Sequence, residues 1–191
     1  NPHFMFNSLN SIAYFIDKKK SQTASDFAVK FSKLMRMILE YSEQQEITLK
    51  EEIDLLELYL KLESIRLSPK LNYHIDIDKE ADADNILILP MLIQPFVENS
   101  IIHGITPLNN SGNIKISFLI QQNELEIIID DDGVGMHAAK TTNERKSMAM
   151  KITSERIALY NEKYHANASL QLIALNPGTR VQLRMPLKYR Y

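Results

Sequence analysis

The spacing of apolar residues changes at Ser68-Pro69, and this change limits the possible folds more than any other feature of the chain. Before it, apolar residues recur every three or four positions, which is typical of amphipathic helices. After it, several segments alternate between apolar and polar residues, as strands with one buried face do. The sequence therefore predicts an α+β fold, with a helical region at residues 1–67 and a mixed region at residues 68–191.

The helical region is predicted to hold three helices, at residues 4–16, 22–42 and 49–67. The last of these opens with a capping box, in which Thr48 and Glu51 bond to each other's backbone N–H groups. Apolar residues cover so much of the second and third helices that one hairpin cannot bury them. We therefore expect a helical hairpin that dimerises through these helices into a symmetric bundle.

The mixed region is predicted to form a two-layer α/β sandwich, with two helices on one face of a sheet. One helix is expected at residues 89–105, with Pro90 at its start and Gly104 near its end, and the other at residues 147–164. The segment from Gly135 to Ser147 has no period and is predicted to be a loop, mobile without a ligand. The expected strands are residues 71–78, two short strands within 113–131 around a Gln-Gln-Asn-Glu turn, 168–175 and 179–187.

Composition excludes several classes of protein. The 191 residues include no cysteine, which rules out disulfides, thiolate chemistry and cysteine-based zinc sites. The net charge of −2 gives no reason to expect a nucleic-acid partner. The longest apolar stretch, residues 86–97, is short and interrupted by prolines, so no segment is expected to span a bilayer. Because the chain does not begin with Met, we expect a fragment, with any membrane anchor in sequence outside it.

The stretch "VENSIIHG" places two polar residues on one face of an otherwise apolar helix. Asn99 and His103 are four residues apart, so their side chains share a face. Such a pair is either hydrogen-bonded within the core or part of a binding site, and the spacing alone does not separate the two.

The stretch "IIIDDDGVGM" is a strand that ends in three acids and a Gly-x-Gly. Gly133 and Gly135 would let the backbone approach a ligand closely, and Asp131 can accept a hydrogen bond from an amino group such as that of adenine. A calcium loop is disfavoured, because its acids alternate so that they converge on one ion. Alone, this motif also fits a solvated strand end.

The order of these motifs is more specific than any one of them. A helix with Glu-Asn, a strand pair ending in Asp-x-Gly-x-Gly, a loop and a "GT" before the last strand resemble the GHKL (Bergerat-type) ATP-binding fold. An isolated histidine such as His3 is most often a surface or core residue, but the opening "NPHFMFNSLNSI" resembles the H-box of LytS/YehU-type sensor histidine kinases. Further similar stretches are "LMRMILEYS", "ITLKEEIDLLELYLKLESIR" and "LPMLIQPFVENSIIHGI". The resemblance covers essentially the whole chain.

The resemblance implies a role for each matching residue. His3 would be the phosphoacceptor, since a neutral imidazole nitrogen is nucleophilic near pH 7. Glu98 would be the base for its proton, and Asn99 would bind Mg²⁺ through its oxygen. Asp131 would recognise the adenine amino group. The other residues implied in nucleotide binding are His103, Gly133, Gly135, Lys146, Ser147, Ala149 and Thr179.

Two positions depart from the family pattern. Many relatives carry lysine, which can reach phosphate oxygens, at the position of Ile102. Relatives also carry a glycine-rich motif where this chain has "KSMAMKIT", with Ser147 and Ala149 at the expected glycine positions. A backbone N–H cradle for phosphate is still possible there, although a β-carbon at Ala149 would crowd it.

The function implied is that of a sensor histidine kinase of a two-component system. It would autophosphorylate His3 with ATP and Mg²⁺ and pass the phosphoryl group to an aspartate of a response regulator, often of LytTR type. The fragment would be a homodimeric, cytoplasmic part of a bacterial inner-membrane protein. A kinase-like dimer that signals without catalysis is the alternative, and the two departures favour it. A GHKL ATPase without histidine transfer is a third possibility, against which the H-box argues.

Overall fold

The computed structural model describes residues 2–135 and 143–190, with side chains over residues 4–135 and 151–190. The first region forms the three predicted helices: α1 (Pro2–Asp17), α2 (Ser21–Ser42) and α3 (Leu49–Leu67). The capping box is confirmed, since Thr48 Oγ1 accepts the Glu51 N–H at 3.2 Å and Glu51 accepts the Thr48 N–H at 2.7 Å. It fixes the first residue of α3 and the direction in which the helix enters the fold.

The second region is built on a five-stranded sheet. Two-residue strands β1 (Ile47–Thr48) and β3 (Leu87–Ile88) pair separately beside it. The strands of the main sheet are β2 (Leu71–Ile77), β4 (Gly112–Gln121), β5 (Glu124–Asp131), β6 (Ser169–Ala174) and β7 (Thr179–Pro186). Their order is β2-β4-β5-β7-β6, with β2 parallel to β4 and every other pair antiparallel.

The helices of the second region cover one face of this sheet. They are α4 (Gln94–Asn99), a π-helix (Ser100–Ile105) that continues it, and α5 (Asn143–Tyr164). Alternate residues of the strands point into the core between the layers, as the period of a strand requires. On β5 these are Leu125, Ile127, Ile129 and Asp131, and on β7 they are Thr179, Val181, Leu183 and Met185. The predicted two-layer α/β sandwich is therefore confirmed.

Three local predictions were wrong. Residues 89–93 are not helical, because Pro90 disfavours helical backbone at Leu89 and Met91 has a left-handed backbone with φ 52°. Pro95 instead lies in the first turn of the helix that begins at Gln94. The strands β4 and β5 are ten and eight residues long rather than short, and they are joined by a tight turn with Gln122 at φ 57°. Helix α5 begins at Asn143, inside the segment predicted to be a loop, and residues 136–142 lie outside the described residues.

The reason given for dimerisation also changes. Most apolar side chains of α3 are buried within the single chain, so α3 does not need a second copy to cover them. Large apolar side chains remain exposed on the other two helices instead: Phe6, Leu9, Tyr14 and Ile16 on α1, and Val29 and Leu39 on α2. Among the described residues, no helix is both long and apolar enough to span a membrane.

Candidate functional site

A pocket lies where β5 and β7 meet the π-helix. The pocket collects five of the residues singled out in the sequence, from three separate segments of the chain: Asn99, His103, Asp131, Gly135 and Thr179. The remaining lining residues are Phe96, Ser100, Gly104, Leu172 and Val181.

Asp131 is the buried carboxylate of this pocket, with 6% of its surface exposed. It accepts a hydrogen bond from Ser100 Oγ at 2.8 Å and another from the Gly133 N–H at 3.0 Å. A carboxylate can accept about four hydrogen bonds, so these two do not exhaust its capacity. In the register of the sheet, Asp131 stands opposite Thr179. Both residues continue the inward faces of their strands to the mouth of the pocket.

Two glycines let the end of β5 cross the π-helix at close range. A β-carbon on Gly133 would lie 2.4 Å from Gly104 Cα, which is far inside van der Waals contact. A β-carbon on Gly104 would lie 3.1 Å from Oδ1 of Asp131. The Val134 N–H donates to the Gly104 carbonyl at 3.1 Å and ties the two segments together. Glycine at both positions therefore sets the distance between Asp131 and the helix.

The π-helix places Asn99 and His103 at the same pocket. The Thr106 N–H donates to the Ile101 carbonyl at 2.8 Å, the five-residue spacing that widens the turn. Asn99 stands at the junction of α4 and the wider turn, and it is half-buried. The prediction that Asn99 and His103 share a face is consistent with their common pocket.

Asn99 fits one kind of magnesium site better than another. Among the described residues, no group of three or more His, Asp or Glu side chains could hold a metal ion. Mg²⁺, however, keeps several waters and commonly binds proteins through one or two oxygens together with substrate phosphates. A single carboxamide oxygen at the pocket fits an ion that arrives with a nucleotide, and does not fit a cage built by the protein alone.

Unlike its neighbour Asn99, Glu98 does not line the pocket. Its carboxylate accepts a hydrogen bond from Gln94 Nε2 at 3.0 Å. It lies towards α3, where burial raises the pKa of Tyr59 well above its usual value and the charges of Glu63 and Glu98 raise it further. The ring of Tyr59 packs against Phe4 with centroids 5.0 Å apart.

Four predicted site residues have side chains outside the described part of the chain. His3 belongs to the first turn of α1, and only its backbone is described. Its neighbour Phe4 is buried and packs on Tyr59 and Phe31, so the start of α1 is held against α3 and α2. The backbone positions of Lys146, Ser147 and Ala149 belong to the first turns of α5.

Sequence reasoning missed five lining residues of the pocket. Leu172 and Val181 belong to alternating strands, and extending the inward face of β7 from Leu183 would have found Val181. Phe96 is one turn of helix before Asn99 and Ser100, a spacing that could have indicated it. Gly104 and Ser100 carried no signal of their own, because their roles depend on Asp131 in a distant strand.

Comparison with known proteins is consistent with both halves of the chain. Residues 1–71 match the histidine kinase family. The sensor histidine kinase YpdA of Escherichia coli (strain K12) is 31% identical over 190 residues, which is 97% of this chain and 32% of that protein. The sensor histidine kinase/phosphatase LytS of Staphylococcus aureus (strain MRSA252) is 29% identical over 193 residues, with the same two shares. The chain thus spans about a third of the length of these relatives.

Solved structures agree on the fold. The histidine kinase domain of the blue-light activated histidine kinase from Erythrobacter litoralis EL346 matches with a TM-score of 0.55 at 13% identity, covering 90% of this chain and 83% of that one. The histidine kinase ThkA, solved in complex with the response regulator protein TrrA, matches with a TM-score of 0.51 at 16% identity. It covers 98% of this chain and 60% of that one.

Proposed function

We propose that the chain is a LytS-type sensor histidine kinase and that it uses ATP to phosphorylate its own His3. The phosphoryl group then passes to an aspartate of a response regulator. The observation that carries the proposal is the pairing of Asp131 with Thr179 at the mouth of one pocket, beside a close glycine crossing. This arrangement supplies what adenine recognition needs, namely a buried acceptor fixed at the end of an apolar face.

In the proposed complex, Asp131 accepts a hydrogen bond from the adenine amino group. Ser100 and the Gly133 N–H hold the carboxylate in one orientation, so little freedom is lost when the base binds. Phe96, Leu172 and Val181 offer apolar surface to the faces of the ring. Thr179 contributes a hydroxyl beside Asp131, and Gly135 allows backbone to lie close to the sugar and phosphates. His103 would line the same side of the nucleotide as Asn99.

The proposed metal is a magnesium ion bound together with the nucleotide. Asn99 would supply its protein ligand, a carboxamide oxygen at the pocket. When bound, Mg²⁺ would neutralise the negative charge that develops on the phosphates during phosphoryl transfer. Lys146, Ser147 and Ala149 are proposed to lie near the phosphates at the start of α5, where backbone N–H groups of a helix N-terminus favour anions.

In the proposed transfer, an imidazole nitrogen of His3 attacks the γ-phosphorus through its lone pair. The bond from that phosphorus to the β,γ-bridging oxygen breaks, and ADP leaves. The imidazole proton released after the new N–P bond forms passes to Glu98. The packing of Phe4 on Tyr59 supports this assignment, because, beyond the effect of burial, the charge of Glu98 raises the pKa of Tyr59 and so acts near the ring that holds the start of α1.

The proposed partners are a second copy of the chain and a response regulator of the LytTR type that the family often uses. The exposed apolar residues of α1 and α2, with Phe6 at 67% and Leu39 at 65% exposure, support dimerisation through those two helices. The domain boundary is proposed near residue 68. The whole protein is proposed to be a bacterial inner-membrane sensor whose membrane segments lie outside this chain, with this part in the cytoplasm.

A second candidate is a kinase-like dimer that signals by shape without catalysis. One observation favours it: Ile102, in the π-helix beside the pocket, cannot donate to phosphate as a lysine would. Such a dimer would still use the surface on α1 and α2, but His3 would carry no phosphoryl group.

The test is incubation of the chain with γ-labelled ATP and Mg²⁺. We expect label on protein that is stable to base and labile to acid, as a phosphoramidate is. The variant His3→Gln should lose the label and keep its affinity for ATP. The matched control is His74→Gln, which makes the same change at an exposed residue of strand β2 and should label like the parent. Absence of label on a parent that binds ATP would favour the non-catalytic dimer instead.

A further inference from the structure

A buried carboxylate that the proposed function does not use lies on the first turn of α3. Glu52 has 1% of its surface exposed, although it carries an ionisable group. It accepts hydrogen bonds from the backbone N–H groups of Met91 at 2.8 Å and Ile93 at 3.2 Å. Carboxylates are rarely buried so completely unless hydrogen bonds or opposite charges compensate for their lost hydration.

The segment that Glu52 binds leads directly into the helix of the candidate site. Helix α4 begins at Gln94, and its N-cap residue Ile93 has no side chain that can cap it. The first N–H groups of a helix need acceptors from elsewhere, and a negative charge there is favoured by the helix dipole. Glu52 therefore supplies, from α3, the acceptor that the start of α4 lacks. The preceding Met91 has φ 52°, a left-handed backbone that a non-glycine residue keeps only when its surroundings hold it.

The same segment is held from its other side by α5. Arg156 donates from Nη2 to the Pro90 carbonyl at 2.7 Å, and from Nη1 to the Met91 carbonyl at 3.4 Å. Residues 90–93 thus lie between an acid of α3 and a base of α5, each bound to the backbone. Asn99, at the far end of α4, is one and a half turns of helix away.

We propose that Glu52 is a positioning residue that fixes the start of α4, and through it the approach of Asn99 and Glu98 to the nucleotide. Arg156 supports the same segment from α5. The inference rests on the proposed function, since it concerns the geometry of that site. It assigns Glu52 no contact with ATP.

Protonation of Glu52 should make its positioning role measurable, as a dependence of ATP binding on pH. Burial raises the pKa of Glu52 to about 7, while the N–H groups of Ile93, Met91 and Leu92 and the charge of Arg156 lower it. Among the described residues, those backbone groups and Arg156 are the neighbours that act on its charge. When the carboxyl takes up a proton, one of its oxygens becomes a donor and faces an N–H group, so the hold on residues 91–93 weakens. ATP binding should therefore weaken as the pH falls through about 7.

The stability of the fold should depend on pH in the opposite direction to the affinity for ATP. Because the pKa of Glu52 is higher in the folded chain than in the unfolded one, its contribution to stability is complete below about pH 4.5 and is lost as the pH rises through about 7. The ionised carboxylate therefore destabilises the fold in the pH range where it best holds α4. A residue that served only packing would not lower the stability of the fold in the same pH range in which it strengthens ATP binding. Such a trade-off between stability and function is typical of functional positions.

The experiment compares the parent with Glu52→Gln and with the matched control Glu57→Gln, an exposed acid on the same helix. ATP affinity in the presence of Mg²⁺ is measured by titration calorimetry between pH 6 and 8, unfolding by denaturant at the same pH values, and amide hydrogen exchange over residues 91–99. For Glu52→Gln at pH 8 we expect equal or greater stability and faster exchange over residues 91–99. ATP binding should be roughly tenfold weaker, because ATP must then order the segment that one charge-assisted hydrogen bond from Glu52 holds in the parent. The parent's pH dependence of affinity should be absent, and Glu57→Gln should match the parent.

A second variant, Glu52→Asp, keeps the charge and withdraws it by one methylene. It should weaken ATP binding while retaining a pH dependence, which a loss of stability alone would not produce. Unchanged ATP affinity in Glu52→Gln, or lowered stability with unchanged exchange over residues 91–99, would overturn the inference and leave the proposed function in place. A parent that binds no ATP at any pH would overturn both.

Discussion

Replacing Asp131 with Asn should separate adenine recognition from folding. The substitution keeps the shape of the side chain and removes its charge. Oδ1 would still accept the Gly133 N–H, now 3.0 Å away, and the new amide N–H could donate to Ser100 Oγ, now at 2.8 Å, because a hydroxyl can reverse its role. These two hydrogen bonds therefore survive, and we expect the free energy of unfolding to change little.

The effect on the nucleotide should be much larger. A hydrogen bond to a charged group contributes about 1.5–3 kcal/mol, and Asp131 is buried, so water cannot replace the lost acceptor at no cost. That energy corresponds to a roughly ten- to hundredfold increase in the dissociation constant for ATP. The loss should fall on the base, since Asp131 lies at the strand end rather than beside α5.

The assay compares ATP with inosine triphosphate, in which an oxo group replaces the adenine amino group. The parent should prefer ATP, and Asp131→Asn should lose most of that preference while its melting temperature stays near that of the parent. The matched control is Asp130→Asn on the opposite face of β5, where the carboxylate pairs with the half-exposed Arg180. Exposed ion pairs contribute little, so the control should keep both affinity and preference. An unchanged preference in Asp131→Asn would refute the assignment of this carboxylate to adenine.

Three further substitutions test the rest of the site. Asn99→Ala should weaken ATP binding in Mg²⁺ and leave the weaker binding in EDTA unchanged, by titration calorimetry; equal losses in both would remove the metal role. Gly133→Ala would place a β-carbon 2.4 Å from Gly104 Cα, so we expect destabilisation of about 1–3 kcal/mol by denaturant unfolding and loss of ATP binding; a stable variant with normal affinity would show that the glycine crossing does not set the site. Ile102→Lys should strengthen ATP binding by up to about tenfold if the amine reaches phosphate; no gain in affinity or labelling would make this departure neutral.

Much of the site could be predicted because strands impose a period of two. The alternation through Ile127 and Ile129 places Asp131 on the buried face of its strand, and the alternation through Val181 does the same for Thr179. The capping box at Thr48 needed only residues three positions apart, so it too was readable. Helix limits near Pro90 and Asn143 were less predictable, because local preferences there compete with packing against other elements.

The sequence by itself determined the order of helices and strands, the inward faces of the strands and the residue types that reach the pocket. The tertiary structure alone decided which of those residues meet. The pairing of Asp131 with Thr179 depends on sheet register, and the crossing of Gly104 and Gly133 depends on the distance between two layers. Glu52 accepts hydrogen bonds from the segment before α4, although no local spacing in the sequence relates Glu52 to that segment. Such contacts form because segments that are far apart in the sequence pack into the same core. A local pattern in one segment does not specify which other segment it will contact.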